Sequence, residues 1–231
     1  MSQAEFDRFA ASYREVHKLN IAITGETPEY FAGYKMRDFA KEADACGSPS
    51  DGTFLDFGSG IGASITPFGE VLPAAELICA DVSAESLAES MKIHGTGPRY
   101  VLIRNDQLPF PDSSVDGAFA CCVFHHIPSE AHAATLRELR RVLKPGAPLM
   151  VYEHNPFNPL TVRAVRTCPL DENAVLIRAR EMVQLCRNAG YTTVKIDYRV
   201  YFPASLRALR PLEDRLRWLP LGAQYYVLAL S

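Results

Sequence analysis

From residue 52 onward, short apolar runs alternate with amphipathic stretches, the pattern of strand and helix units wound into a parallel sheet. Residues 53–57, 77–80, 100–103, 117–123 and 148–152 read as five successive strands. Between the second and third, Ser83 is placed to cap a helix with Glu85 in its first turn and with Leu87 and Met91 on one face. Between the fourth and fifth, Ser129 is the expected cap of a helix whose Leu136, Leu139 and Leu143 form a stripe and which Lys144, Pro145 and Gly146 stop. A helix over residues 178–188 closing at Gly190, a strand over 191–201 and a last strand over 224–230 complete the pattern. Residues 154–170 are too rich in proline and asparagine to promise regular structure. Residues 3–45 read as helical, with Phe6, Phe9 and Tyr13 on one face and Tyr30, Phe31 and Tyr34 clustered after a breaker at 25–28. The expectation is a single domain over residues 1–231: a helical lid over 1–45, a binding core over 50–155, and substrate-side loops and terminal strands over 156–231.

Composition narrows the partners more than the fold. With 24 Lys and Arg against 27 Asp and Glu, the net charge of −3 offers no basic field for a phosphate backbone. No apolar run approaches the ~18–20 residues of a membrane-crossing helix, and MSQAEFDRFA lacks a basic flank followed by an apolar stretch, so a cytoplasmic location is expected. The six cysteines contain no C-x-x-C pair and read as free thiols.

Chemistry concentrates in Asp56-Phe57-Gly58-Ser59-Gly60-Ile61-Gly62, which follows an apolar strand and precedes a helix. Glycines let a turn take positive φ and approach a ligand, and the helix start presents unpaired N–H groups. The spacing G-x-G-x-G differs from the dinucleotide fingerprint G-x-G-x-x-G, and the acidic Asp56 suits an amino group and a sulfonium better than a pyrophosphate. Asp81 stands at the end of the next strand, where a carboxylate can accept from both hydroxyls of a ribose.

These motifs, FLDFGSGIG and ICADVS, together with LPFPDSSVDGAF before CCVFHHIP and with LRELRRVLKPGAPLMVYE, make residues 50–155 resemble the class I S-adenosylmethionine-dependent methyltransferases. The resemblance implies an α/β, Rossmann-like sheet of seven strands, mostly parallel, whose last strand, QYYVLAL, is antiparallel. It implies S-adenosylmethionine as cofactor, S-adenosylhomocysteine as its product, and transfer of the methyl group to a small molecule. It also implies that Gly58, Gly60 and Gly62 cradle the methionine end, with Ser59 among the cofactor-binding residues and Asp56 acting through the loop or through water, that Asp81 takes the ribose, and that Val82 lies beside the adenine. Asn105 or Asp106 is implied at the adenine amino group, because Arg104 occupies the position where the family often has an acid.

An alcohol acceptor must lose a proton, which histidine is suited to take near neutral pH. His125 and His126 follow the fourth strand, and Glu153 and His154 the fifth, all at the carboxyl edge of the sheet. His125 and His126 are the candidate bases, and Glu153, His154, Tyr30 and Tyr34 the substrate-side candidates. Those two histidines with Glu153 and His154 could form a ligand set for an ion, but nothing in the sequence repeats the Asp and Asn strand-end pattern of metal-dependent relatives, and no metal is expected. Asn155-Pro156-Phe157 follows the fifth strand rather than the fourth, unlike the amino-methylating motif of nucleic-acid enzymes. Oxygen is the favoured acceptor atom. The alternatives are carbon or nitrogen methylation of a lipid-like or secondary-metabolite acceptor, and a protein that binds the cofactor without turnover.

Overall fold

The computed structural model describes Ile21 and residues 25–231; Phe6, Phe9 and Tyr13 of the expected lid lie outside them. Seven strands form one sheet: β1 (Thr53–Phe57), β2 (Glu76–Asp81), β3 (Arg99–Leu102), β4 (Gly117–Cys121), β5 (Pro148–His154), β6 (Thr192–Arg199) and β7 (Gln224–Leu230). Their order is β3-β2-β1-β4-β5-β7-β6. The strands from β3 across to β5 pair in parallel, and β7 runs antiparallel between β5 and β6. The helices are α1 (Pro28–Ala45), α2 (Ile65–Val71), α3 (Ala84–His94), α4 (His132–Val142), α5 (Pro159–Thr167), α6 (Ala179–Asn188) and the short α7 (Glu213–Leu216). Among the described residues no helix is long and apolar enough to cross a membrane.

The strand side chains alternate between two cores, as the twofold period of a strand requires. Leu55, Ile78, Ala120, Val151 and Val227 face α4 and α6, where Leu136, Leu139, Met182 and Cys186 are buried. Phe54, Cys79, Phe119, Met150 and Tyr226 face the other way, against Met36 and Phe39 of α1 and Phe68 of α2. Burial on both faces explains why the central strands read as continuous apolar runs. Phe39 packs edge-on against Phe54 and Phe119, with ring centroids 5.6 and 4.8 Å away.

The sequence places the strands within a residue or two, and Ser83 caps α3 as expected, accepting from the Ser86 amide at 3.0 Å. Three expectations are corrected. Residues 154–170 contain a helix, α5, because Asn158 accepts from the Leu160 and Thr161 amides and Pro159 pre-sets its first turn. Ser129 does not cap α4, which begins only at His132; its hydroxyl turns to Glu130. The described part of the expected lid, α1, is a core layer along most of its length, capped by Thr27. Ion pairs latch it to β6 and to the segment before β7: Asp38 meets Arg199 at 2.7 Å and Arg217 at 3.9 Å, and Glu42 meets Lys195 at 2.5 Å.

Candidate active site

The sheet order reverses direction between β1 and β4, where an open α/β sheet forms its crevice. There the carboxyl ends of β1, β2, β4 and β5 open onto one cavity of about 680 Å³.

At one end lies the turn after β1. The Gly58 and Ser59 amides donate to the Ala80 carbonyl at 2.8 and 3.1 Å, tying the turn to β2. The three glycines of the motif sit at positive φ for different reasons. A Cβ on Gly58 would lie 2.6 Å from the Val123 side chain, and one on Gly62 would lie 2.3 Å from Ser90 Oγ. Gly60, at φ +53°, faces open space, with no atom within 4 Å of where its Cβ would be. Gly62 therefore packs the turn against α3 and is not in the cavity wall, whereas Gly58, Ser59 and Gly60 are.

Asp81 accepts from the Gly60 and Ser83 amides, each at 2.8 Å, so one carboxylate fixes both the glycine turn and the start of α3. Asp56 is buried beneath the turn and accepts the Ser64 hydroxyl. Burial pushes its carboxyl up to about 7, against the lowering effect of the Ser64 bond. Ser59 Oγ is buried with no hydrogen-bond partner. Val82 and Asp106 line the cavity; Asn105 does not, although the two share a tight turn at φ 54° and 56°.

The opposite end is built around the single 3₁₀ turn Phe124–His126, which is held from three sides. His132 Nε2 lies 2.9 Å from the carbonyls of Phe124 and Ile127, Glu153 accepts the Phe124 amide at 2.8 Å, and the Val175 amide donates to the His125 carbonyl at 2.8 Å. His132 is buried where it makes this clamp. Glu153 Oε2 lies 2.5 Å from His125 Nδ1. It is fully buried behind that ring and does not reach the cavity. Asp171, from the turn after α5, places Oδ1 3.5 Å from His125 Nε2 and 3.4 Å from His126 Nε2. His125, His126, His154 and Asp171 all line the cavity.

Charge is concentrated here. Burial opposes a proton on His125, but the Glu153 and Asp171 carboxylates outweigh it and raise the ring to about 10. Burial leaves His126 below its ordinary value despite Asp171. Burial would raise Asp171, yet the two histidines hold it well below the carboxylate range. Burial also pushes the Cys122 thiol up, but Lys35, whose Nζ is 3.4 Å from Sγ, and His154 bring it down to about 7.

Tyr30 and Tyr34 do not line the cavity. Tyr30 packs under the Arg210 guanidinium, 4.4 Å from its ring centroid, and Tyr34 donates to Gln224 within the core. On α1 the cavity is lined instead by Phe31, Ala32, Lys35 and Met36. Sequence reasoning missed Asp171, Lys35 and Cys122. Cys122 carried a signal, standing at a strand end three residues before the histidine pair; Asp171 carried none, since only the return of the chain after α5 brings it there.

The same turn, acid and strand arrangement occurs in known proteins. Residues 55–151 match the family model described as a methyltransferase domain. This stretch is a methyltransferase domain. The fold of the chain is that of a solved Aquifex aeolicus structure described as a SAM dependent methyltransferase, which superposes with a TM-score of 0.63 at 18% identity and covers 94% of this chain and 96% of that one. The chain is 30% identical over 128 residues to the ubiquinone/menaquinone biosynthesis C-methyltransferase UbiE of Hahella chejuensis, covering 52% of this chain and 51% of that protein. It is 30% identical over 136 residues to the sterol 4-C-methyltransferase strm-1 of Caenorhabditis elegans, covering 54% and 40%. It thus spans about half the length, or less, of these curated relatives. A solved Thermotoga maritima structure described as a possible histamine N-methyltransferase superposes with a TM-score of 0.67 at 19% identity, covering 98% of each chain, and so shares the fold. The cavity wall of the methyltransferase domain fits the cofactor: Gly60 leaves room where a side chain would stand, and Ser59 presents a buried hydroxyl without a partner.

Proposed function

We propose that this protein transfers the methyl group of S-adenosylmethionine to a small, largely apolar acceptor that carries a hydroxyl, and that oxygen is the acceptor atom. One observation carries the reading: the cavity is continuous from the glycine turn to the His125, His126 and Asp171 cluster, with apolar walls from Phe31, Met36, Leu160, Val165 and Phe202 between them. In its bound form the cofactor supplies an electrophilic methyl carbon on a positively charged sulfur. Gly58, Ser59 and Gly60 form the seat of its methionine end, with Asp56 beneath as the neighbouring acid; Asp81 meets the ribose, and Val82 and Asp106 the adenine. The apolar walls would hold the acceptor against the bound cofactor and exclude water, and orientation of this kind is worth ~7–11 kcal/mol. The histidine and aspartate cluster orients the hydroxyl and takes up its proton as the oxygen attacks, a general-base role worth roughly 10²–10⁴. His154 stands beside it, its ring centroid 5.2 Å from that of His125.

A second reading, methylation at carbon, is favoured by the names of the two curated relatives, both C-methyltransferases. A ring carbon made nucleophilic by an adjacent ionised hydroxyl would use the same cluster. Purified protein incubated with methyl-labelled cofactor and a panel of hydroxylated aromatic and aliphatic compounds tests the proposal, and carbon NMR of the product separates methoxy from carbon-bound methyl. Cofactor binding without label transfer to any acceptor or extract overturns it in favour of a binding protein.

A further inference from the structure

We propose that His125 Nε2, His126 Nε2 and Asp171 Oδ1 form a binding site for one divalent transition-metal ion, zinc fitting best, at the acceptor end of the cavity. Its role in catalysis rests on the methyl-transfer reading; the site itself does not.

The distances are the first argument. Asp171 Oδ1 stands 3.4 and 3.5 Å from the two ring nitrogens. That is too long for a good N–H···O bond, which closes to ~2.7–3.2 Å. A tetrahedral ion with bonds of ~2.0–2.2 Å to nitrogen and oxygen holds neighbouring donor atoms roughly 3.4 Å apart. All three donor atoms lie within 4.8 Å of one another, so one ion can reach them together.

The second argument is the shell behind the ligands. Glu153 Oε2 lies 2.5 Å from His125 Nδ1 and Glu153 Oε1 accepts the Phe124 amide, so the carboxylate is itself fixed. A carboxylate on the far nitrogen of a histidine places the proton there and turns the lone pair of Nε2 outward, the arrangement that orients metal-bound histidines. His125 Nε2 is buried, receives no hydrogen bond and points at another carboxylate. A cation is needed between Nε2 and that carboxylate, and a metal ion can take the place of the proton that otherwise bridges them. The third argument is the donor set: two imidazoles and one carboxylate, with further coordination positions directed into the cavity, match sites that leave room for a substrate oxygen. Glu153, weighed from sequence as a ligand, supports a ligand instead, and Asp171 takes its place.

An ion here would bind the acceptor hydroxyl directly and make it more acidic. The proton would pass to solvent, and the oxygen would keep the electron pair it uses on the methyl carbon.

Isothermal titration of Zn²⁺ into the chelator-treated full-length chain tests the site. The expected result is one ion per chain in the wild type, affinity at least ~10-fold weaker in Glu153→Gln, and greater losses in Asp171→Asn and His126→Ala. Substituting Co²⁺ in the unmutated protein requires no variant to fold; intense visible absorption bands of tetrahedral cobalt are expected. Absence of stoichiometric zinc and of those bands, or zinc binding unchanged in Asp171→Asn with native circular dichroism, overturns the site and leaves a His125 imidazolium held between two carboxylates. Methyl transfer that survives complete removal of metal overturns the catalytic role of the ion while leaving the transfer reading intact. One zinc held by these residues supports the site even if no acceptor in the panel is methylated, an outcome that counts against the transfer reading alone.

Discussion

Replacing Gly60 with alanine separates the demands of the fold from those of the ligand. The residue sits at φ +53°, where a side chain costs ~1–2 kcal/mol, and its Cβ would touch nothing within 4 Å. In a chain of 231 residues, ~1 kcal/mol moves the melting temperature by about 2–4 °C, so Gly60→Ala should fold and melt only a few degrees early. The added methyl group nevertheless projects into the cavity against the proposed methionine end. Overfilling a packed site costs ~1–3 kcal/mol, which is roughly a 5- to 150-fold loss of affinity. Gly62→Ala is the converse: its Cβ would lie 2.3 Å from Ser90 Oγ and 2.4 Å from Ile65 Cδ1, outside the cavity wall, so stability should fall much further than for Gly60→Ala. Calorimetric titration with S-adenosylhomocysteine beside thermal melts reads both effects. Wild-type affinity in a folded Gly60→Ala protein would refute the placement of the cofactor on this turn.

Three further outcomes follow from the same site. Asp81→Ala removes the acceptor of two backbone amides, each such bond to a charged group being worth ~1.5–3 kcal/mol, so melting temperature and S-adenosylhomocysteine affinity should fall together; unchanged affinity by calorimetry removes Asp81 from the site. The folded state raises Asp56 from 3.8 to about 7, so the stability this group contributes is complete below about pH 4 and is lost as pH rises through about 7; urea titrations should show Asp56→Asn losing less stability than wild type between about pH 5 and about pH 8, and parallel losses would show that Asp56 is ionised throughout. Cys122, with its thiol near 7 and on the cavity wall, should be the cysteine that iodoacetamide labels fastest at neutral pH, and S-adenosylhomocysteine should slow it; peptide mass spectrometry identifying another cysteine first would contradict this.

The cofactor half of the site was legible because it is local. A strand, a glycine turn and a helix start are contiguous in sequence, and one strand later Asp81 closes the same loop, so the spacing alone describes the pocket edge. The acceptor half was only partly legible. His125, His126 and His154 follow strand ends and can be found by counting, whereas Asp171 reaches them only because Asn158 and Pro159 start a helix in a segment whose composition suggested a loop. The period of α1 shows an amphipathic helix but not which of its positions face the cavity. Tyr30 and Tyr34 looked like substrate contacts as aromatic side chains, yet Phe31 and Lys35, one position further along the helix in each case, take those places. Fold followed from periodicity, while the polar end depended on where distant segments return.

The ion pairs beneath α1 decide which side of the cavity is rigid. Lifting that helix would separate Asp38 from Arg199 and Glu42 from Lys195, and would leave Tyr226 without its 3.0 Å bond to Glu42. Stripping partners from several half-dry charges at once is steeply uphill, so α1 behaves as the fixed jaw of the chamber. On α5 the wall is of another kind: Leu160 is 67% exposed to water while contributing to the cavity lining.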